Sequence, residues 1–122
     1  MIKLTQSELD QFIGTEYYHR YNNLLLTDGV LFLAQKGECF WLLDLILSVQ
    51  DLPQIKDDPY LQCMQFWTLI VNEDQTAKVI CERDTDDVVY EQKIDYTDFP
   101  FSTRIWLNRY DHRFVAMLSS EY

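Results

Sequence analysis

Glycine is scarce in this chain: Gly14, Gly29 and Gly37 are the whole set, and no two are grouped. A phosphate-cradling loop needs clustered glycines to bring backbone amides onto a pyrophosphate, so nucleotide binding of that kind is excluded. Histidine is scarcer, with only His19 and His112, and neither Cys-x-x-Cys nor His-x-x-x-His occurs. No metal ligand set stands at the usual spacing, and no metal or cofactor is expected. Cys39, Cys63 and Cys81 are odd in number, scattered and set among apolar neighbours. They read as small buried hydrophobes of a reduced cytoplasm, with no disulfide. The start MIKLTQSELD lacks an apolar run, and the longest apolar stretch, Cys39 to Val49, is interrupted by Asp44. Neither a secretory leader nor a membrane span is expected. Bases are outnumbered ten to twenty, giving a formal charge of −10. Phosphate backbones are repelled by such a chain, so nucleic acid is not an expected partner.

What remains is a chain of 122 residues with 48% apolar and 15% aromatic content, including Trp41, Trp67 and Trp106. That is enough for one core and too little for a second, so residues 1–122 are expected to form a single domain. Thr5 with Glu8 has the form of a capping box and predicts a helix from about Gln6 to Ile13, stopped by Gly14. Thr27-Asp28-Gly29 caps a second helix at about Gly29 to Gln35, with Gly37 as its stop. From Glu38 to Gln50 apolar residues cover most of a helix circumference, which predicts a central helix buried on more than one side. Asp51 to Pro59, DLPQIKDDP, reads as a surface crossing without helix.

Beyond it the period changes to two. Gln62 to Val71, Thr76 to Arg83 and Val88 to Tyr96 are expected as antiparallel strands joined by four-residue polar turns, and Thr103 to Asn108 with Arg113 to Leu118 as a last hairpin. Val88, Tyr90, Ile94 and Tyr96 are placed on a dry face, opposite Val89, Glu91, Lys93 and Asp95. The fold class is α+β, with N-terminal helices packed on one face of a C-terminal antiparallel meander of about five strands.

Chemistry-bearing residues are few. Asp44 interrupts an apolar helix. It is either the wet stripe of that helix, shared with Ser48 and Asp51, or a buried carboxylate bonded to a tyrosine or to Arg20. An enzyme would use Asp44 with His19 or a cysteine, but nothing in the spacing favours it, and no catalytic residue is assigned. A small-molecule site between helix and sheet would gather Tyr17, Trp41, Asp44 and Tyr90. The run Tyr17-Tyr18-His19-Arg20-Tyr21 is either packed or displayed for recognition. Charge is unevenly spread. Nine acids between Glu73 and Asp98 face only Lys78, Arg83 and Lys93, whereas Arg104, Arg109 and Arg113 face only Asp111. Asp84, Asp86, Asp87, Glu91 and Asp95 are thus a candidate partner-binding face, either plainly solubilising or imitating nucleic acid towards a basic protein. A homo-oligomer is the other open partnership.

Several short motifs carry a resemblance: Leu4-Thr5, Glu8-Leu9, Phe12, Gly14-Thr15-Glu16 and Tyr18, then Thr27-Asp28-Gly29, Trp41-Leu42-Leu43-Asp44, Phe99-Pro100 and Ser120-Glu121-Tyr122. Over nearly its full length the chain resembles a family of small bacterial proteins described only as a domain of unknown function. The resemblance implies a bacterial or mobile-element origin and a stand-alone domain, and it brings no catalytic residue. The function expected is non-catalytic protein binding in the cytoplasm. The alternatives are an acidic inhibitor of a phage-defence or DNA-binding protein and a small-molecule-binding domain.

Overall fold

Thr5 opens the first helix as its spacing demands: its hydroxyl accepts from the Glu8 amide at 3.2 Å, and the Glu8 carboxylate accepts from the Thr5 amide at 3.0 Å. The computed structural model, which describes residues 2–122, ends this helix, α1 (Gln6–Asp10), earlier than expected. Phe12 leaves the helical path and its ring stacks on Phe32 with centroids 5.3 Å apart. Helix α2 (Asp28–Lys36) is capped by the Thr27 hydroxyl, which accepts from the Val30 amide, and Gly37 follows as its C-cap. Helix α3 (Phe40–Ser48) begins later than Glu38, because Glu38 takes a positive φ of 50° that breaks the helical path. The expected helix-free crossing after Asp51 contains one helical turn, α4 (Pro53–Lys56). Proline stands in its first turn, where the missing N–H has no acceptor to lose, and Ile55 is anchored in the core.

The sheet corrects the expected five-stranded antiparallel meander. It has seven strands: β1 (His19–Tyr21), β2 (Leu24–Leu26), β3 (Met64–Val71), β4 (Ala77–Glu82), β5 (Val88–Ile94), β6 (Thr103–Tyr110) and β7 (Arg113–Met117). Their order is β1-β2-β7-β6-β3-β4-β5. The aromatic run and the Leu24-Leu25-Leu26 run form the extra pair, turned at Asn22, whose φ of 52° is left-handed. Strand β2 joins β7 in parallel, Leu24 against Phe114 and Leu26 against Ala116, so the sheet is mixed. Three-residue strands carry too little alternation to register in sequence, and their pairing is decided by a partner some ninety residues away.

The helices cover one side of the sheet. On that side Gln65, Trp67 and Leu69 of β3, Val79 and Cys81 of β4, and Ile105 and Leu107 of β6 are buried with Leu33 of α2 and Leu43 and Ile46 of α3. Two polar side chains are satisfied there. Gln65 and Gln50 exchange amide hydrogen bonds at 2.8 and 3.0 Å, and the Trp67 indole donates to the Gln65 carbonyl at 2.8 Å. Cys39 and Cys81 lie in the core as expected, whereas Cys63 is exposed, because β3 begins at Met64 and Cys63 belongs to the turn before it. Val88 and Tyr96, expected dry, are 49% and 64% exposed. A bulge beside Cys81/Glu82 breaks the parity that Val88 shares with Tyr90 and sets Val88 opposite Glu82, and Tyr96 lies beyond the end of β5, the edge strand.

Candidate functional site

Three of the motifs that carry the resemblance, at residues 14–16, 27–29 and 120–122, converge on the start of α2. The Glu121 carboxylate accepts from the Thr27 hydroxyl at 2.6 Å, the Leu118 amide at 2.9 Å and the Gly29 amide at 3.1 Å. Thr15 accepts from the Asp28 amide at 2.8 Å and donates to the Tyr17 carbonyl at 2.7 Å. Asp28 in turn accepts from the Glu16 amide at 3.0 Å and lies 2.8 Å from His19 Nε2. The His19 ring beside it, with the Glu16 amide, holds the Asp28 carboxyl below the usual range. This cluster pins residues 15–19 and 118–121 to one helix start and leaves its polar groups engaged with one another.

The residues considered for catalysis are kept apart. His19 is paired with Asp28, and exposed Asp44 accepts instead from the Tyr21 hydroxyl at 2.6 Å. That hydrogen bond and partial desolvation push the Tyr21 phenol up. Burial pushes the Cys39 and Cys81 thiols up to about 12, so neither is a thiolate at neutral pH. Asp44 is thus the wet stripe of α3, together with exposed Ser48, and also a tyrosine's partner.

Tyr17, Trp41, Asp44 and Tyr90 do not make one pocket. Tyr17 precedes β1 and Tyr90 lies on β5, the opposite edge of the sheet, six strand spacings or roughly 29 Å away. Tyr90 packs instead on Trp67, with ring centroids 6.0 Å apart. In the aromatic run Tyr17 and Tyr18 are displayed, 66% and 59% exposed, while Tyr21 stacks on Phe40 at 5.2 Å.

The five acids chosen as a partner face are all exposed, and they have different engagements. Arg83 bridges Asp58 at 2.8 Å and Asp87 at 3.0 Å, tying the β4–β5 turn to the segment before β3. Glu91 meets Lys78 at 3.3 Å. Asp84, Asp86 and Asp95 are in no ion pair among the described residues.

Sequence reasoning missed the surface next to Asp84 and Asp86. The side of the sheet away from the helices is covered by no helix among the described residues, yet it is apolar along its middle. Register places Phe66 of β3 opposite Trp106 of β6, and the two rings meet edge to face at 5.1 Å. Tyr122, 73% exposed, also packs on Trp106 at 5.4 Å. One step along, Arg104, Thr68 and Ile80 lie side by side, and Ile70 follows. Two adjoining grooves of about 440 and 410 Å³ open here, sharing Thr68, Glu82 and Arg104, with Asp84 and Asp86 on the rim of the first. The Arg104 guanidinium is in no ion pair among the described residues. A signal was present: Met64 to Val71, MQFWTLIV, is apolar at most positions of both parities, the mark of a strand covered on two sides.

A family model matches residues 3–122; it is described as a family of unknown function (DUF6876). No curated protein and no solved structure matches the chain. No helix among the described residues is long and apolar enough to cross a membrane.

Proposed function

The chain belongs to that family of unknown function, and because membership brings no activity with it, we propose from the surface itself that this is a non-catalytic protein-binding domain. Its setting in this reading is a bacterial cytoplasm, supported by three free thiols. The contact surface is the uncovered side of the sheet. One observation carries the reading: an aromatic stripe of half-buried Phe66 and Trp106 and exposed Tyr122 is open to water, with no helix above it among the described residues. Aromatic rings and an unpaired arginine are the side chains that dominate binding energy when a partner desolvates them.

The partner's chemistry follows from the rim. Glu82, Asp84 and Asp86 flank the groove on a chain of net charge −10, so the complementary surface is a protein with an apolar plug bordered by lysine or arginine. Imitation of nucleic acid by the wider acidic face is less favoured, since Asp87 and Glu91 are occupied by Arg83 and Lys78. The test is affinity capture from source-cell lysate at low and high salt, run in parallel with Trp106→Ser and with Asp84→Lys/Asp86→Lys. The expected result is one protein held by the wild type at low salt, released by salt, and lost in both variants. Equal capture by all three proteins overturns this face, and no captured protein at either salt overturns the binding reading.

A further inference from the structure

Strand β5 is the last strand of the sheet, bonded to β4 on one side only. A free strand edge is a template for another strand, and folds blunt it with bulges, shortness or charge. The other edge, β1, is blunted by its three-residue length. In β5 the bulge lies at its beginning, beside Cys81/Glu82, and leaves Tyr90 to Ile94 in regular register with β4. Its charges do not repel a copy of themselves. Tyr90, Gln92 and Ile94 lie on the helix side, opposite Cys81, Val79 and Ala77, and Glu91 and Lys93 on the outer side, opposite Ile80 and Lys78.

We infer that β5 pairs antiparallel with β5 of a second copy, about a two-fold axis through Gln92, so that each Glu91 stands opposite the partner's Lys93. This goes beyond the protein-binding reading and does not rest on it. Three observations select the register. Antiparallel neighbours point their side chains to the same face, so keeping the helix sides together requires the axis to pass through a residue and not between two. An axis through Glu91 sets that carboxylate against its own copy, and one through Lys93 sets two ammonium groups together; only Gln92 makes both outer pairs opposite in charge. The same axis sets Tyr90 against Ile94 on the helix side, two half-buried residues already packed against the core cluster. Within one chain Lys93 faces Lys78 directly, and its ammonium is in no ion pair among the described residues. The second copy's Glu91 supplies that missing carboxylate, and the pairing joins two seven-stranded sheets into one.

Sedimentation velocity on purified protein, over a low-to-high micromolar concentration series, tests it. The wild type should run at twice the chain mass, and Glu91→Lys and Lys93→Glu should each weaken the dimer by about tenfold or more by placing like charges opposite. The Lys78–Glu91 bridge survives in Lys93→Glu, so that variant separates loss of the interchain pairs from loss of the intrachain one. An equimolar mixture of the two variants should recover the dimer, because every outer pair across the axis is again of opposite charge. A wild type that is monomeric throughout, variants that dimerise like the wild type, or a mixture that stays monomeric each overturns the proposal. None of these outcomes bears on capture through Trp106.

Discussion

Glu121 and Gly29 show at the scale of single residues how the start of α2 is held. A Cβ placed on Gly29 would stand 2.6 Å from Glu121 Oε1 and 2.7 Å from a Leu118 methyl, so any larger residue pushes out the carboxylate that caps α2. Gly14 has nothing within 4 Å of the same position and no positive φ. Gly29→Ala should therefore lower the melting temperature by several degrees, on the order of 1–2 kcal/mol for the lost capping bonds. Gly14→Ala should be neutral or raise it slightly, by restricting the unfolded chain. Thermal unfolding followed by circular dichroism checks both. Thr27 and Gly37 were legible as helix punctuation, but the role of Glu121 was not. Its contacts with Thr27 and Gly29 span more than ninety residues, and no local pattern announces them.

At the scale of elements, the starts of α1 and α2 are where acid acts. The Asp28 carboxyl is held low by His19 and by the Glu16 amide, and that of Glu8 by Lys36 and the Thr5 amide. As pH falls, the unfolded chain takes up these protons first, near the ordinary carboxyl range of about 4. The stabilisation is thus present above that range and is lost as pH drops through the lower folded values. Asp28→Asn should flatten the decline of melting temperature below about pH 4 relative to wild type, and an unchanged slope would remove Asp28 from the account. Elements set by their own residues were legible: the capping box of α1, the cap and stop of α2, the apolar girth of α3 and the five strands β3 to β7. Those set by distant contacts were not, namely the β1–β2 pair and α4, where Pro53 reads as a breaker but serves as a first-turn residue.

For the molecule as a whole, the two sides of the sheet differ in what their aromatic residues do. Trp67 is 1% exposed on the helix side and hydrogen-bonded to Gln65, whereas Trp106 lies on the uncovered side with Phe66 and Tyr122 as ring neighbours. Trp67→Ser should cost roughly 3–5 kcal/mol and leave little folded protein, while Trp106→Ser should cost clearly less, as denaturant titration will show. The candidate binding face was the least legible feature of all. Alternation along β3 assigns its second parity to water by default. Phe66, Thr68 and Ile70 contradict that assignment only when Trp106 and Ile80 are seen beside them.

The parallel seam between β2 and β7 sets a schedule for the nascent polypeptide. Residues 24–26 leave the ribosome long before residues 113–117 exist, and the helix that follows them waits equally long for Glu121. Until then the early hairpin has no neighbour on its inner side and the Thr27 hydroxyl has no carboxylate to meet. Such distant closure makes for slow folding. Leu24-Leu25-Leu26 is therefore made early but can close into the sheet only after residues 113–117 have followed.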